Sequence, residues 1–169
     1  MRRHLRHDDG CLLIADRDGE RVYDLNAYNR VLMVGAGKAA APMAEAAASV
    51  LGERLNEGAI IVKYGHAGEA GALERVTVFE AGHPVPDAAG VRAAQHLAEL
   101  LRGATDRDLV ICLLSGGGSA LMPLPVASVS LADLQALTRT LLACGATINE
   151  INTLRKHLSQ LAGGQMARL

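Results

Sequence analysis

A glycine-rich turn at positions 35–40 is the first place where this sequence has residues suited to chemistry. It is written GAGKAA and follows a short apolar run, as in the G-x-G-x-x-G/A turns that bring a phosphate to a helix N-terminus. Lys38 adds a cation where backbone N–H groups already favour an anion. The turn predicts phosphate binding through Gly35, Gly37 and Lys38; the alternative is that its glycines only permit close packing of strand and helix.

The turn departs from two well-known nucleotide motifs. A dinucleotide site has an acidic residue at the end of the second strand, whereas the apolar run at 59–62 is followed by Lys63. This disfavours NAD but leaves NADP open, because Lys63 can face a 2′-phosphate. The Walker pattern fails because Ala39 stands where that motif has Ser or Thr.

A second glycine loop follows the most apolar run of the chain. Residues 115–119 are Ser115, Gly116, Gly117, Gly118 and Ser119, and three consecutive glycines are costly to order. What they allow is close approach of main-chain N–H groups to a ligand, with the two hydroxyls as further donors. We expect this loop to bind phosphate or carboxylate.

Two further candidates are a loop histidine and a polar helix face. His83 lies in the sequence GHPVPD, where two prolines stiffen the loop and present the imidazole; a turn with a solvated histidine is an equal alternative. Asn149, Asn152 and Lys156 share a helical face at i, i+3 and i+7. That face suits a hydroxy-acid carboxylate or a phosphate, although a solvated charged face is the commoner outcome.

Composition excludes several classes of protein. The chain has 169 residues, 50% of them hydrophobic, with a net charge of -1, which is typical of one globular domain. An aromatic content of 2% and the near-zero charge disfavour nucleic-acid binding. No apolar run approaches the length of a membrane span or a signal sequence, so we expect a cytoplasmic protein without a membrane partner.

The remaining single-residue expectations concern the cysteines and the N-terminus. Three cysteines without metal-type spacing predict neither a disulfide framework nor a zinc site, and no metal ligands are assigned in this chain. Cys112 lies inside an apolar run, which predicts a buried thiol. The Arg- and His-rich residues 1–7 are expected to be a solvated terminus.

The elements that position these residues follow from hydrophobic patterning. Continuous rather than alternating apolar runs predict strands buried on both faces, as in parallel sheets, and apolar stripes with capping residues predict the helices. The pattern favours one α/β domain over residues 1–169, a three-layer Rossmann-like fold with a mostly parallel sheet flanked by helices and a small N-terminal edge hairpin. The predicted strands are 31–34, 59–62, 76–79 and 109–114, the helices are 40–55, 87–102, 130–143 and 149–161, and the hairpin joins 11–15 to 21–25.

Five motifs, taken together and in this order, resemble the N-terminal domain of the bacterial and animal type of glycerate kinase. They are VLMVGAGKAAAPMA, IIVKYGH, EAGHPVPDAAG, LLSGGGSALM and INEINTLRKHLSQLAGG. Members of that family are two-domain α/β enzymes that phosphorylate D-glycerate with ATP and a divalent cation, and many are labelled hydroxypyruvate reductases. The resemblance implies ATP and Mg²⁺ as cofactors and Lys38 as an active-site lysine. It also implies that the 115–119 loop holds phosphate or substrate and that Asn152, Arg155 and Lys156 approach the same cleft, with His83 as a further substrate-binding candidate by its loop position.

The resemblance also implies a larger enzyme. Family chains are longer, so the chain is expected to be a fragment that carries one wall of the cleft and has the C-terminal domain of the same longer chain as its partner. The fragment alone is then expected to be inactive. Family chains also have a helix before the hairpin, and the apolar surface that this helix would cover predicts self-association as a homo-oligomer. Two other functions stay open: an NADPH-dependent hydroxypyruvate reductase, and a non-catalytic α/β module that binds phosphate or sugar acids.

Overall fold

Four parallel strands form the central sheet of the computed structural model, which describes residues 4–68 and 73–169. Their spatial order is β6-β5-β4-β7, and every neighbouring pair is parallel. The four apolar runs are therefore strands of one parallel sheet, as predicted. The strands of the chain are β1 Leu5–Asp8, β2 Cys11–Asp16, β3 Gly19–Asp24, β4 Arg30–Ala36, β5 Leu55–Lys63, β6 Val76–Ala81 and β7 Asp108–Leu114.

The predicted hairpin is present, but it has a third strand. β1, β2 and β3 form a separate antiparallel sheet, and its apolar side packs with the first helix against one face of the parallel sheet. The expectation of a solvated terminus over residues 1–7 is wrong for β1, which begins at Leu5. Leu5 is buried whereas Arg6 and His7 are exposed. With a single buried side chain, the segment lacks the alternation of apolar and polar residues from which a strand could be predicted.

Local capping chemistry sets the helix boundaries. Asp87 accepts a hydrogen bond from the Gly90 N–H at 2.8 Å and caps α2, and Ser130 caps α4 in a capping box, both as predicted. Thr147 does the same for α5. The helices are α1 Ala40–Leu51, α2 Ala88–Arg102, α3 Gly118–Leu121, α4 Leu131–Ala143 and α5 Ile148–His157, with 3₁₀ turns at Leu25–Ala27, Gly52–Arg54 and Gln165–Arg168.

Two helix ends differ from the prediction. α1 stops at Leu51, before the predicted residue 55, because Gly52 takes a positive φ of 54° and ends the helix. β5 consequently begins at Leu55, four residues before the predicted strand. α5 ends at His157 and does not reach residue 161; the apolar spacing that suggested a longer helix continues in a non-helical segment whose Leu161 is buried.

The two faces of β7 have different surroundings. Leu113 is buried among residues of α1 and the antiparallel sheet, whereas Leu114 on the opposite face is 54% exposed. Cys112 shares the open face and is exposed, which corrects the expectation of a buried thiol. The reason is that β7 is an edge strand and α2 contacts β5 and β6. A groove of about 750 Å³ lies along this open face.

Within residues 4–68 and 73–169, no helix has the length and apolar character needed to cross a bilayer. The three cysteines are all free thiols.

A charge pair ties the beginnings of β4 and β7 together. Arg30 donates from Nε and Nη2 to the two carboxylate oxygens of Asp108 at 3.1 and 2.6 Å, and the backbone N–H and hydroxyl of Thr105 donate to the same carboxylate at 2.9 and 3.0 Å. The hydrogen bond from Arg30 is the main reason why the pKa of Asp108 lies well below its usual range. The pair fixes the register of the two strands that lead to both glycine loops.

Replacing this carboxylate should destabilise the protein in a pH-dependent way. Asp108→Asn loses charge-assisted hydrogen bonds, so the free energy of unfolding at pH 7 should fall by about 1.5–3 kcal/mol. Because the folded pKa is depressed, this stabilisation is present above the unfolded pKa of about 3.9 and is lost as the pH falls through the folded pKa. Urea unfolding at pH 7 and pH 3 measures both effects, and Asp106→Asn, an exposed neighbour, is the matched control. A difference from wild type that stays constant between the two pH values would contradict the pKa assignment.

Candidate functional site

The two glycine loops meet at the point where the sheet changes direction. From β4 the chain passes through α1 to β5 on one side, and after β6 and α2 it returns to β7 on the other side of β4. The carboxyl ends of β4 and β7 therefore flank the switch point, which is where open α/β sheets bind their ligands. Residues 37–39 follow β4 and residues 115–117 follow β7 at this edge.

Main-chain and hydroxyl hydrogen bonds join the two loops into one unit. The Lys38 N–H donates to the Gly116 carbonyl at 2.9 Å, and the Ser115 N–H donates to the Ala36 carbonyl at 3.1 Å. Ser115 Oγ accepts from the Ala39 N–H at 3.0 Å. Since Ala39 has no side chain that can cap α1, the serine of the other loop caps this helix. A change in either loop must therefore disturb the other.

Close packing accounts for three of the glycines. A Cβ at Gly35 would lie 2.6 Å from the Leu113 carbonyl oxygen, and one at Gly118 would lie 2.9 Å from the Ala36 carbonyl oxygen. Gly37 has a φ of 133° and faces the Ser115 main chain, with the carbonyl oxygen 2.7 Å from the Cβ position. At these three positions the close approach of the two main chains is enough to require glycine. The presence of glycine there is therefore no indication of a ligand.

Gly116 and Gly117 are different. A Cβ at Gly116 would have no atom within 4 Å, and Gly117 has a φ of 89°. In the part of the chain that the structure describes, the backbone N–H groups of Gly116, Gly117 and Ser119 donate no hydrogen bond to another residue. The loop thus presents three main-chain donors at the switch point, the arrangement that binds anions in main-chain nests.

His83 and Lys38 face the same glycine. The Nε2 atom of His83 lies 2.9 Å from the Cβ position of Gly117, and Cγ of Lys38 lies 3.7 Å from it. Burial lowers the pKa of His83, and the nearby charges of Lys38 and Lys63 lower it further. Its imidazole is therefore neutral at pH 7. Lys38 itself is exposed at the mouth of the site.

The polar residues of α5 divide into two groups. Arg155 is half-buried, and one of its terminal nitrogens lies 3.4 Å from the Pro84 carbonyl oxygen and 3.4 Å from the Thr138 hydroxyl. Its charge also contributes to the lowered pKa of His83. Asn152 and Lys156 are exposed, and in the described residues neither side chain hydrogen-bonds to Lys38, His83 or the 115–119 loop. Of the α5 candidates, the structure brings Arg155 to the His83 loop.

A tyrosine–aspartate pair beside the His83 loop was missed as a site feature. The Tyr64 hydroxyl donates to Asp87 at 2.7 Å, which links the end of β5 to the start of α2. Burial raises the pKa of Asp87, but hydrogen bonds, chiefly from the Gly90 N–H and the Tyr64 hydroxyl, outweigh it and leave the pKa below its usual value. The sequence identified Asp87 only as a helix cap; a polar residue directly after the neighbouring parallel strand was the signal for Tyr64.

The charge balance of the site determines what it can bind. Lys38, Lys63 and Arg155 supply positive charge around His83, while the carboxylate of Asp87 is already occupied by its hydrogen-bond donors. Within residues 4–68 and 73–169, no group of three His, Cys, Asp or Glu side chains is placed to hold a metal ion. The positive charge of the described residues therefore suits anions such as phosphate or carboxylate.

Comparison with known proteins agrees with this arrangement of motifs. The chain is 48% identical over 139 residues to the D-glycerate 2-kinase of Thermotoga maritima, covering 82% of this chain and 33% of that enzyme. It is 45% identical over 139 residues to an Agrobacterium vitis protein provisionally named hydroxypyruvate reductase, covering 82% of this chain and 31% of that protein. The crystal structure of the PH0495 protein from Pyrococcus horikoshii superimposes with a TM-score of 0.84 at 37% identity, covering 98% of this chain and 36% of that one.

These matches define both the extent of the similarity and the family. The chain spans about a third of the length of the relatives that it matches. The model of one family, described as a domain of unknown function (DUF4147), matches residues 1–169. On that match over its whole length, this chain belongs to the DUF4147 family.

Proposed function

We propose that the chain is the N-terminal domain of a two-domain glycerate kinase, which transfers the γ-phosphoryl group of ATP to a hydroxyl of D-glycerate. The observation that carries the proposal is the convergence at Gly117 of Lys38, His83 and a loop in which three N–H groups donate no hydrogen bond to another described residue. An anion is the ligand that such a site favours. The similarity to the Thermotoga D-glycerate 2-kinase supplies the reaction.

The residues of this chain would act mainly by positioning groups and neutralising charge, which is how phosphoryl transfer is accelerated. Lys38 would neutralise an oxygen of the transferred phosphoryl group. The N–H groups of Gly116, Gly117 and Ser119 would donate to phosphate oxygens from fixed positions, without reorganisation during the reaction. Ser115 would hold the loop in place through its bond to Ala39, and Gly35, Gly37 and Gly118 would allow the close approach on which that geometry depends.

His83 would contact the substrate. Because its imidazole is neutral at pH 7, it can accept a hydrogen bond from a glycerate hydroxyl or donate one from its other nitrogen. Because it lies against Gly117, it is beside the main-chain N–H groups that would donate hydrogen bonds to phosphate. Asn152 and Lys156 remain proposed ligands at the margin of the cleft, since both are exposed on α5 and free to turn toward a bound acid.

The two cofactors fit the described residues unequally. The three N–H donors and Lys38 suit the phosphates of ATP. Mg²⁺ favours carboxylate and phosphate oxygens, and the carboxylate of Asp87, beside the His83 loop, already accepts hydrogen bonds from Tyr64 and Gly90. The described residues thus offer no ligand set for the metal, and its protein ligands would come from the rest of the enzyme.

The second wall of the cleft would be the C-terminal domain of the same longer chain. The relatives are about three times as long as this chain, and the groove along the open face of β7 reaches Ser115 and Ser119. A domain that packs there would cover apolar surface and close the site from water. We place the enzyme in the cytoplasm, consistent with three free thiols.

A hydroxypyruvate reductase is the second candidate, favoured by the glycine turn after β4 and by the name of the Agrobacterium relative. Against it, β5 ends in Lys63 with no carboxylate for a ribose, and a reductase leaves the second glycine loop unexplained. The deciding experiment adds ATP, Mg²⁺ and D-glycerate, or NADPH and hydroxypyruvate, to the full-length enzyme. ADP release with a new phosphoglycerate phosphorus signal supports the kinase, and NADPH oxidation supports the reductase. If neither reaction occurs, the result supports a non-catalytic binding module.

Lys38→Ala in the full-length enzyme should lower turnover at least about tenfold, because the loss of ~1.4 kcal/mol of transition-state stabilisation has that effect. The side chain is exposed, so the melting temperature should stay near that of the wild type. Steady-state ADP release and differential scanning fluorimetry measure the two quantities. Unchanged turnover would contradict a catalytic role, and a fall in melting temperature that matches the fall in activity would indicate a packing role.

Gly117→Val should abolish phosphate binding by the loop. A side chain at Gly117 would meet His83 Nε2 at 2.9 Å, and a β-branched residue resists a φ of 89°. Gly116→Ala is the matched control, because its Cβ would meet nothing within 4 Å and its N–H is retained. Titration with inorganic phosphate, followed by calorimetry, should show binding for the wild type and Gly116→Ala only. Circular dichroism checks that both variants are folded, and phosphate binding by folded Gly117→Val would defeat the proposal.

Residues 1–169 produced alone should release no measurable ADP with ATP, Mg²⁺ and D-glycerate. The site would stand open to water, where its charges are screened and a captured phosphate is held weakly. The uncovered face of β7, with Leu114 54% exposed, should also promote self-association, which light scattering detects. Turnover comparable with that of the full-length enzyme would show that a second wall is unnecessary.

A further inference from the structure

Arg155 is a half-buried cation without an acidic partner. In the part of the chain that the structure describes, no carboxylate forms an ion pair with it, although its guanidinium carries five N–H donors. Its hydrogen bonds go to neutral oxygens, the Pro84 carbonyl and the Thr138 hydroxyl, each at 3.4 Å. These distances exceed the usual 2.7–3.2 Å for such bonds, so the described contacts leave the guanidinium weakly satisfied.

The surroundings of Arg155 make this arrangement costly. Burial lowers the pKa of Arg155, which means that the protein removes water from the charge without supplying an opposite charge. The neighbouring Thr138 of α4 is 4% exposed, so the guanidinium nitrogen that contacts its hydroxyl lies on the buried side of that helix. An anion that enters from the open side would offset the desolvation.

A small cavity of about 30 Å³ lies beside this guanidinium, a volume comparable with that of one water molecule. Arg155 lines it together with Thr138, Ser119 and Ser159, and the rest of its lining is apolar. Ser119 ends the glycine loop that we have assigned to phosphate, and the Pro84 carbonyl that Arg155 contacts belongs to the residue after His83. The cavity therefore adjoins both loops of the proposed site.

We propose that Arg155 anchors the carboxylate of the three-carbon hydroxy acid in this cavity, while the hydroxyl end of the acid lies toward His83 and Lys38. The inference rests on the proposed function. It makes the Arg155 guanidinium the group by which the enzyme selects an acid over a neutral polyol. A guanidinium matches a carboxylate in planarity and can hold both oxygens at once, which an ammonium cannot do. The lysine of α5 does not fit this role, because Lys156 is exposed and its Cβ lies near Gly163.

The alternative is that Arg155 only pins the His83 loop to α4. Gln135 already does so by donating to the Pro86 carbonyl at 2.9 Å, a shorter bond than either of those from Arg155. The two roles have different effects. If Arg155 only holds the His83 loop, its loss lowers stability and the affinity for every ligand alike. If it binds the carboxylate, its loss lowers the affinity for the acid but not for the neutral amide.

The test uses the full-length protein without nucleotide, so that binding is measured apart from phosphoryl transfer. Calorimetry compares D-glycerate with D-glyceramide for the wild type, Arg155→Met and Arg155→Lys, with Arg139→Met, an exposed arginine of α4, as the control. Arg155→Met should weaken D-glycerate binding at least about tenfold, in line with the loss of a charged hydrogen-bonded pair, and should leave D-glyceramide binding unchanged. Arg155→Lys should restore only part of the affinity, and Arg139→Met should match the wild type.

The outcomes separate this inference from the kinase proposal. Equal weakening of acid and amide by Arg155→Met, unchanged D-glycerate binding in that variant, or failure of the wild type to bind D-glycerate each overturns the carboxylate anchor. A wild type that binds D-glycerate through Arg155 but releases no ADP with ATP and Mg²⁺ upholds the anchor and overturns the kinase. Circular dichroism of each variant excludes loss of fold as the cause of lost binding.

Discussion

The cross-linking of the two loops after β4 and β7 is the constraint on which the site depends. Three hydrogen bonds hold them together, and one of these gives α1 a cap that its own sequence lacks. The loops approach so closely that Gly35 and Gly118 each lie against the carbonyl of the other strand. Close packing therefore accounts for Gly35 and Gly118. The N–H groups of Gly116 and Gly117, in contrast, donate no hydrogen bond to another described residue.

This constraint also explains the electrostatics. The side chains that follow the parallel strands all lie at the edge formed by the carboxyl ends of the sheet. Lys38, Lys63 and His83 are close enough there for the two lysine charges to lower the pKa of His83. The carboxylate of Asp87 accepts hydrogen bonds from Tyr64 and from the start of α2. Its charge serves the scaffold, so the site keeps a positive character and a neutral histidine without a dedicated metal centre among the described residues.

The sequence predicted those features that depend on local chemistry. Continuous apolar runs located all four strands of the parallel sheet, Asp87 and Ser130 located two helix starts, and both glycine loops were placed at strand ends. Features that depend on the position of an element in the fold were not predictable. The exposure of Cys112 follows from the place of β7 at the sheet edge. The rotation of α5 leaves Arg155 half-buried and Asn152 exposed, and it depends on contacts that form only in the folded chain, such as those of Arg155 with Pro84 and Thr138.

The open face of β7 has a consequence for biosynthesis. If this domain is the first third of a longer enzyme, its sheet can form while the remainder is still on the ribosome, which adds roughly 5–20 residues per second. For tens of seconds an edge strand with unpaired backbone groups on its outer side and an exposed Leu114 would stand without its cover. Edge strands of this kind are templates for pairing with other chains. In that case, the order of synthesis would leave this edge open to pairing with other chains until the rest of the protein has folded.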